Sequence, residues 1–166
     1  MKHILFIDPI EKLVPKKDSS LMLALTLKMM GIETYLLFES NLFFMNKEQE
    51  KFRIFSFDGN FKEGSFYIDS FELKESTYKS LEPGDFFHMR IDPPFDTRYL
   101  RYLWLLGAFE RRGVHILNSP KGILNYNEKL TAYEQNSSHS SFVGQDCDAF
   151  LDFIKKKSNE GVIDFI

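Results

Sequence analysis

A chain of 166 residues, 43% apolar and 27% charged, has a globular composition and is long enough to bury a substantial core as one ordinary domain. A net charge of −3 argues against non-specific nucleic-acid binding, which needs a basic face, and no apolar run approaches the roughly 20 residues that span a bilayer. The single Cys147 excludes an internal disulfide, fits a reducing cytosol, and has no nearby His on its own element to activate it. The chain is therefore expected in the cytoplasm, with neither nucleic acid nor membrane as a partner. Its 18 Phe residues are read as core packing.

In chain order, Met1 to Asp8 holds an apolar stretch too short for a signal peptide and without a small-residue cleavage site. Within it, Ile4 to Ile7 is a short continuous apolar run ended by Asp8-Pro9, the pattern of a parallel strand covered on both faces. Asp18 is a good N-cap for a helix running to Met30, with Gly31 as its C-cap. That helix is apolar almost all round and is expected to be largely buried. Thr34 to Phe38 is a second strand, completing a β-α-β unit. Phe52 to Phe57 and Ser65 to Leu73 alternate about a turn predicted at Asp58-Gly59-Asn60, which suggests an antiparallel excursion. Asp85 to Arg90 is a third parallel strand. A helix follows from Thr97 to Arg112, capped by Asp96, ended by Gly113, with Tyr99, Leu103, Leu106 and Phe109 at helical spacing. Val114 to Leu117 is the fourth parallel strand. Beyond it come a short helix near Asn127 to Glu134 and a polar linker at 136–141. Asp146 then caps a helix to about Lys157, with Phe150, Phe153 and Ile154 inward, before a strand-like run at 162–166. The fold class is an open, mainly parallel three-layer α/β sheet, Rossmann-like, with a small antiparallel insertion.

The segment Arg90-Ile91-Asp92-Pro93-Pro94-Phe95-Asp96 carries the most chemistry. Proline cannot donate to a ladder and restricts the residue before it, so Asp92-Pro93 ends the third strand. Arg90 then stands at the carboxyl end of a parallel strand, where open α/β sheets bind ligands, and its guanidinium fork suits a carboxylate. The structural alternative is an ion pair between Arg90 and Asp92. Asp8 ends the first strand and is open to two readings, a partner for a ligand ammonium or a loop cap. Ser19 and Ser20 open a helix whose backbone N–H groups attract anions, with Asp18 as the competing cap. Lys16 and Lys17 read as a solvated pair. The four His residues lie far apart with no zinc spacing, and neither GxGxxG nor GxxxxGK[ST] occurs.

Arg90 to Asp96 resembles the Met-Arg-Lys-Asp-Pro-Pro-Phe-Asp block of bacterial glutathione synthetases. Ile7-Asp8-Pro9-Ile10, Lys16-Lys17-Asp18-Ser19-Ser20, Asn118-Ser119-Pro120 and Asn127-Glu128-Lys129-Leu130 resemble further blocks of that family in the family's order, from residue 4 to about 133. Ile91 and Ser119 stand where the family has Lys. The resemblance implies an ATP-grasp ligase: ATP, with Mg²⁺, phosphorylates the carboxylate of γ-glutamylcysteine, and glycine attacks the acyl phosphate. Catalysis of that kind is mostly positioning and charge stabilisation, so no nucleophile is sought. It implies a substrate-binding domain over 1–122, a truncated start of the ATP-grasp domain over 123–166, and a homo-oligomer. It makes Lys129 the first ATP-binding lysine and Arg90, Asp8, Ser19 and Ser20 the substrate residues, with no catalytic or metal residue and no ligase activity in this portion alone. The competing readings are a ligase for another acid and amine, motivated by Ile91 and Ser119, and a stand-alone binding module.

Overall fold

The computed structural model describes residues 1–92, 94–134 and 140–160, without the side chains of 128, 129 and 132. Strands β1 (His3–Ile7), β2 (Thr34–Phe38), β3 (Phe52–Phe61), β4 (Ile68–Lys79), β5 (Phe86–Met89) and β6 (His115–Leu117) form one sheet in the order β4-β3-β2-β1-β5-β6. The strands β2, β1, β5 and β6 run parallel, and β3 and β4 are added antiparallel at one edge. Helix α1 (Ser19–Met29) joins β1 to β2, α2 (Thr97–Arg111) joins β5 to β6, and α3 (Pro120–Asn125) follows. This is the mixed, mainly parallel α/β sheet expected from the sequence. The chain divides into two compact units, Met1–Asn125 and Tyr126–Ile166. The second holds α4 (Glu128–Tyr133) and α5 (Cys147–Asn159). No helix among the described residues is long and apolar enough to cross a membrane.

The apolar run of β1 is explained by its place in the middle of the sheet. Ile4 and Phe6 pack with Leu37, Phe87, Leu103 and Leu106 on the α2 face. Leu5 and Ile7 pack with Leu36, Leu21, Ala24 and Leu25 on the α1 face. The four apolar side chains of β1, Ile4 to Ile7, are essentially fully buried, which contributes roughly 1.5–3 kcal/mol each. A strand apolar on both faces leaves its register poorly specified by hydrophobicity. A polar tie at its start supplies the missing specification. The buried Asp85 carboxylate accepts from the backbone N–H of Lys2 at 3.0 Å, from the Lys2 ammonium, and from the N–H of Glu82 at 2.8 Å. The pair His3–Phe86 lies one step beyond. Burial works against ionisation of Asp85, but these donors outweigh it and hold its carboxyl below the ordinary range.

Local signals behave as their chemistry demands. Asp18, Asp96 and Asp146 each accept from two backbone N–H groups of the helix they precede. Gly31 and Gly113 take positive φ just past α1 and α2. Three expectations are corrected. Asp58-Gly59-Asn60 is strand, not turn: the hairpin reverses at residues 62–67, where Lys62 N–H donates to the Tyr67 carbonyl. Gly59 is needed because a Cβ there would lie 2.4 Å from the Ser70 carbonyl oxygen and against Leu25. Helix α1 buries one face only, Ser20, Leu21, Ala24 and Leu25, because it covers the sheet from one side, and Met29 and Met30 stay exposed. Phe150 of α5 is exposed instead of inward, its ring meeting Phe142 at 5.5 Å. The predicted strand at 162–166 and most of the linker lie outside the described residues.

Replacing Asp85 by Asn is expected to lower unfolding stability by about 2 kcal/mol, because the buried Lys2 ammonium loses its counter-charge. The folded-state pKa of Asp85 is depressed, so its contribution is complete above the unfolded carboxyl's pKa and is lost as pH falls through the folded value. Urea titrations should show a shallower acid limb in Asp85→Asn than in the wild type. Superimposable limbs would remove the tie from this role.

Candidate functional site: the crevice between the first and fifth strands

The connections out of β1 and β5 run in opposite directions, to β2 on one side and β6 on the other. Crossovers of one hand then place α1 and α2 on opposite faces, and the carboxyl ends of β1 and β5 open between them. Open α/β sheets bind ligands at such a switch point. Here Asp8 follows β1 and Arg90 follows β5, with Arg90 N–H donating to the Phe6 carbonyl at 2.9 Å. Alternation along the strands sends the two side chains to different faces, Arg90 to the α1 face and Asp8 to the α2 face.

On the α1 face, Arg90 Nε donates to Ser20 Oγ at 3.1 Å and Nη2 to Ser19 Oγ at 2.9 Å. The expected ion pair with Asp92 is not formed, and Asp92 does not hold the guanidinium. The Arg90 side chain reaches over the sheet to the first turn of α1, while the chain leaves strand geometry and carries Asp92 toward the other face. Arg90 makes no ion pair among the described residues, and Nη1 has no protein partner there. The half-buried guanidinium is thus oriented by two neutral hydroxyls, and its charge meets no carboxylate among the described residues. At the α1 N-terminus the N–H groups of Ser20 and Leu21 are both taken by Asp18 Oδ1 at 2.9 Å, the capping expected of Asp18. Lys16 and Lys17 are exposed, as a solvated pair should be.

On the α2 face lies a cleft of about 410 Å³ lined by Asp8, Lys12, Ile91, Asp92 and Tyr102, among others. Asp8 Oδ2 accepts the backbone N–H of Asp92 at 2.9 Å, tying the ends of the two strands, and Oδ1 has no partner among the described residues. At the far wall Glu39 receives Arg98 Nη1 at 3.1 Å. Burial, with the Glu39 carboxylate beside it, pushes the Tyr102 phenol above its ordinary range. Among the described residues no group of three or more His, Cys, Asp or Glu is arranged to hold a metal ion.

Two residues before Arg90 on the same face, buried His88 meets His3, with Nε2 and Nδ1 3.0 Å apart. One ring nitrogen donates and the other accepts, so the accepting ring is neutral. His3 stacks on Phe86 at 4.6 Å. Burial, then the neighbouring His3 and Arg90, lower the His88 pKa to about 4. No spacing in the sequence marks this pair, since residues 3 and 88 meet only through strand pairing.

The model of a known family, prokaryotic glutathione synthetase, N-terminal domain, matches residues 1–123. The chain belongs to this family. A glutathione synthetase from Citrobacter rodentium is 31% identical over 124 residues, 74% of this chain and 38% of that protein. One from a Nostoc species is 27% identical over 165 residues, 95% of this chain and 50% of its own. One from Shewanella oneidensis is 29% identical over 156 residues, 92% and 47% respectively. The chain thus spans half or less of the length of these curated relatives. Of the residues singled out from the sequence, the fold brings Arg90, Ser19 and Ser20 together and sets Asp8 on the other face of the same crevice. Lys129 falls in α4 of the second unit, and its side chain lies outside the described residues. Sequence reasoning does not reach Lys12, Glu39 and Tyr102. Glu39 alone carries a usable signal, its position directly after β2 at the same sheet end.

Because His88 is neutral in the fold, an unfolded chain takes up its proton near the ordinary 6.5 and the folded chain only near 4. Unfolding stability should fall by about 1–2 kcal/mol between pH 7 and 5, and His88→Gln should flatten that slope. Equal slopes in stepped-pH urea titrations would count against the pair as the source.

Proposed function

We propose that this chain is the substrate-recognising portion of a glutathione synthetase, and that Arg90 clamps a carboxylate of γ-glutamylcysteine. The observation that carries this reading is a guanidinium at the switch point, oriented by Ser19 and Ser20, with no carboxylate of its own. A charged fork left open in this way suits a bidentate carboxylate. In this reading residues 1–122 are the substrate domain and 123–166 begin the ATP-grasp domain, with Lys129 directed to the nucleotide phosphates. The whole protein joins glycine to γ-glutamylcysteine through an acyl phosphate, in the cytoplasm and as a homo-oligomer. ATP, when bound with Mg²⁺, supplies the phosphoryl group and the charge neutralisation. The described residues hold no cluster to bind the metal, and what they contribute is the binding and orientation of the dipeptide.

A second reading is motivated by Ile91, which lines the cleft where the family block carries Lys. An apolar side chain in that wall removes a cation from the substrate's surroundings, which favours a ligase for a different acid and amine.

Calorimetric titration with γ-glutamylcysteine, without ATP or glycine, tests the clamp. Arg90→Ala is expected to weaken binding about 10–100-fold, the worth of a charge-assisted fork, and Arg90→Lys should recover only part of it. Unchanged affinity in Arg90→Ala would overturn the clamp. Tighter binding of another γ-glutamyl or α-linked acid by the wild type would favour the second reading.

A further inference from the structure

We infer that Asn118 is a positioning residue for Arg90: its side-chain amide fixes the peptide unit from which the Arg90 side chain springs. Nδ2 of Asn118 donates to the Met89 carbonyl at 2.7 Å, across the gap between the ends of β6 and β5. The consequence for ligand binding rests on the reading of Arg90 as a carboxylate clamp. The geometry is independent of it.

Backbone conformation singles Asn118 out. Among the described residues Gly31, Gly64, Gly84 and Gly113 take positive φ, and Asn118, at 64°, is the only residue other than glycine to do so. Glycine would enter that conformation more readily, so a side chain kept there points to a use for it. The use is a carbonyl that the sheet leaves open. Backbone pairing of β5 with β6 ends at His88 and Leu117, one residue before Met89. Asn118 turns the chain out of β6 toward α3, where the Ser119 carbonyl accepts the N–H of Ile123 at 3.0 Å and Pro120 takes the first helical position. With the strand ended, the Asn118 amide supplies the donor that a further ladder residue would have given.

Met89 and Arg90 share one planar peptide unit, whose carbonyl and N–H point to opposite neighbours. The Met89 carbonyl is held by Asn118 from β6, and the Arg90 N–H donates to the Phe6 carbonyl of β1 at 2.9 Å. Two residues on, the Asp92 N–H is held by Asp8 at 2.9 Å. The backbone on which Arg90 stands is thus tied to both neighbouring strands, while Ser19 and Ser20 guide its guanidinium from α1. A guanidinium at the end of a long side chain magnifies any rotation of the peptide beneath it. A fork that must meet two oxygens tolerates misplacement of only about 0.5 Å and 10–20°. Releasing the Met89 carbonyl therefore loosens Arg90, and Asn118 acts through the backbone.

The test reads Arg90 directly, through exchange of its Nε proton followed by NMR, with the cross-peak assigned by its loss in Arg90→Lys. Asn118→Gly keeps the backbone conformation and removes the amide. Asn118→Asp keeps the shape and the tolerance of positive φ, but its carboxylate cannot donate. In both variants the Arg90 proton is expected to exchange about three- to tenfold faster than in the wild type, the worth of one hydrogen bond. Asp85→Asn, at the opposite end of β5, is the comparator for lost stability alone and should leave the rate unchanged. Wild-type rates in a folded Asn118 variant, or an equal acceleration in Asp85→Asn, overturn the inference. One variant decides it should the other not fold, and failure of both to fold makes Asn118 a folding residue and overturns it too. Calorimetric titration with γ-glutamylcysteine reads the functional consequence, an affinity lowered by a similar factor in Asn118→Gly. If Arg90→Ala weakens binding and Asn118→Gly does not, the positioning role is overturned. If Arg90→Ala leaves the affinity unchanged, the clamp fails, and the exchange rates still decide whether Asn118 positions Arg90.

Discussion

Burial of β1 on both faces is the constraint from which the rest of the first unit follows. A strand with apolar side chains at four successive positions must be covered from two sides, and α1 and α2 supply the two covers. One cover is reached through the connection to β2 and the other through the connection out of β5. The chain therefore departs from the sheet centre in two directions, and the crevice between β1 and β5 is the unavoidable gap. Whatever follows Ile7 and Met89 lines it. The position of Asp8 and Arg90 at the mouth of this crevice is a consequence of how the core is closed.

The crevice is electrically divided. Its α1 side carries one guanidinium held by hydroxyls, and its α2 side carries four carboxylates against Lys12 and Arg98. Separation by the sheet edge prevents the two sides from neutralising each other through a direct Arg90–Asp92 bridge. A half-buried charge without a counter-ion is costly unless hydroxyls or solvent satisfy it, and Ser19 and Ser20 do part of that work. Beneath Arg90 the buried His88 ring stays neutral, which spares the guanidinium a second positive charge two residues away. The attraction exerted by the exposed charges of this crevice weakens with salt.

The chain belongs to the glutathione synthetase N-terminal domain family. The chemistry proposed above for the whole protein, transfer of a phosphoryl group and then an acyl group, asks for orientation and charge more than for a nucleophile. The resources found at this crevice are of that kind: a fork, hydroxyls, carboxylates and one lysine.

Much is legible in the chain itself because the interactions concerned are local. Apolar runs and periodicities locate the four parallel strands and the two long helices, and Asp18, Asp96 and Asp146 announce their helices because a cap bonds only two or three residues ahead. Arg90 is marked by the prolines that follow it. What fails depends on partners distant in sequence. Gly59 reads as a turn because its reason for being glycine is the Ser70 carbonyl across the hairpin and Leu25 on another element. Proximity in sequence pairs Asp92 with Arg90, yet strand alternation and the chain's departure from β5 separate them. The His3–His88 contact, the Lys2–Asp85 tie and the cleft walled by Tyr102 join residues from separate elements, and none carries a spacing. The sequence by itself determined the elements, their caps and the residue types at the sheet ends, since those follow from backbone and side-chain chemistry within a few positions. Only the tertiary structure decided which face each charge occupies and which charges remain unpaired, because parallel pairing brings residues more than 80 positions apart into contact.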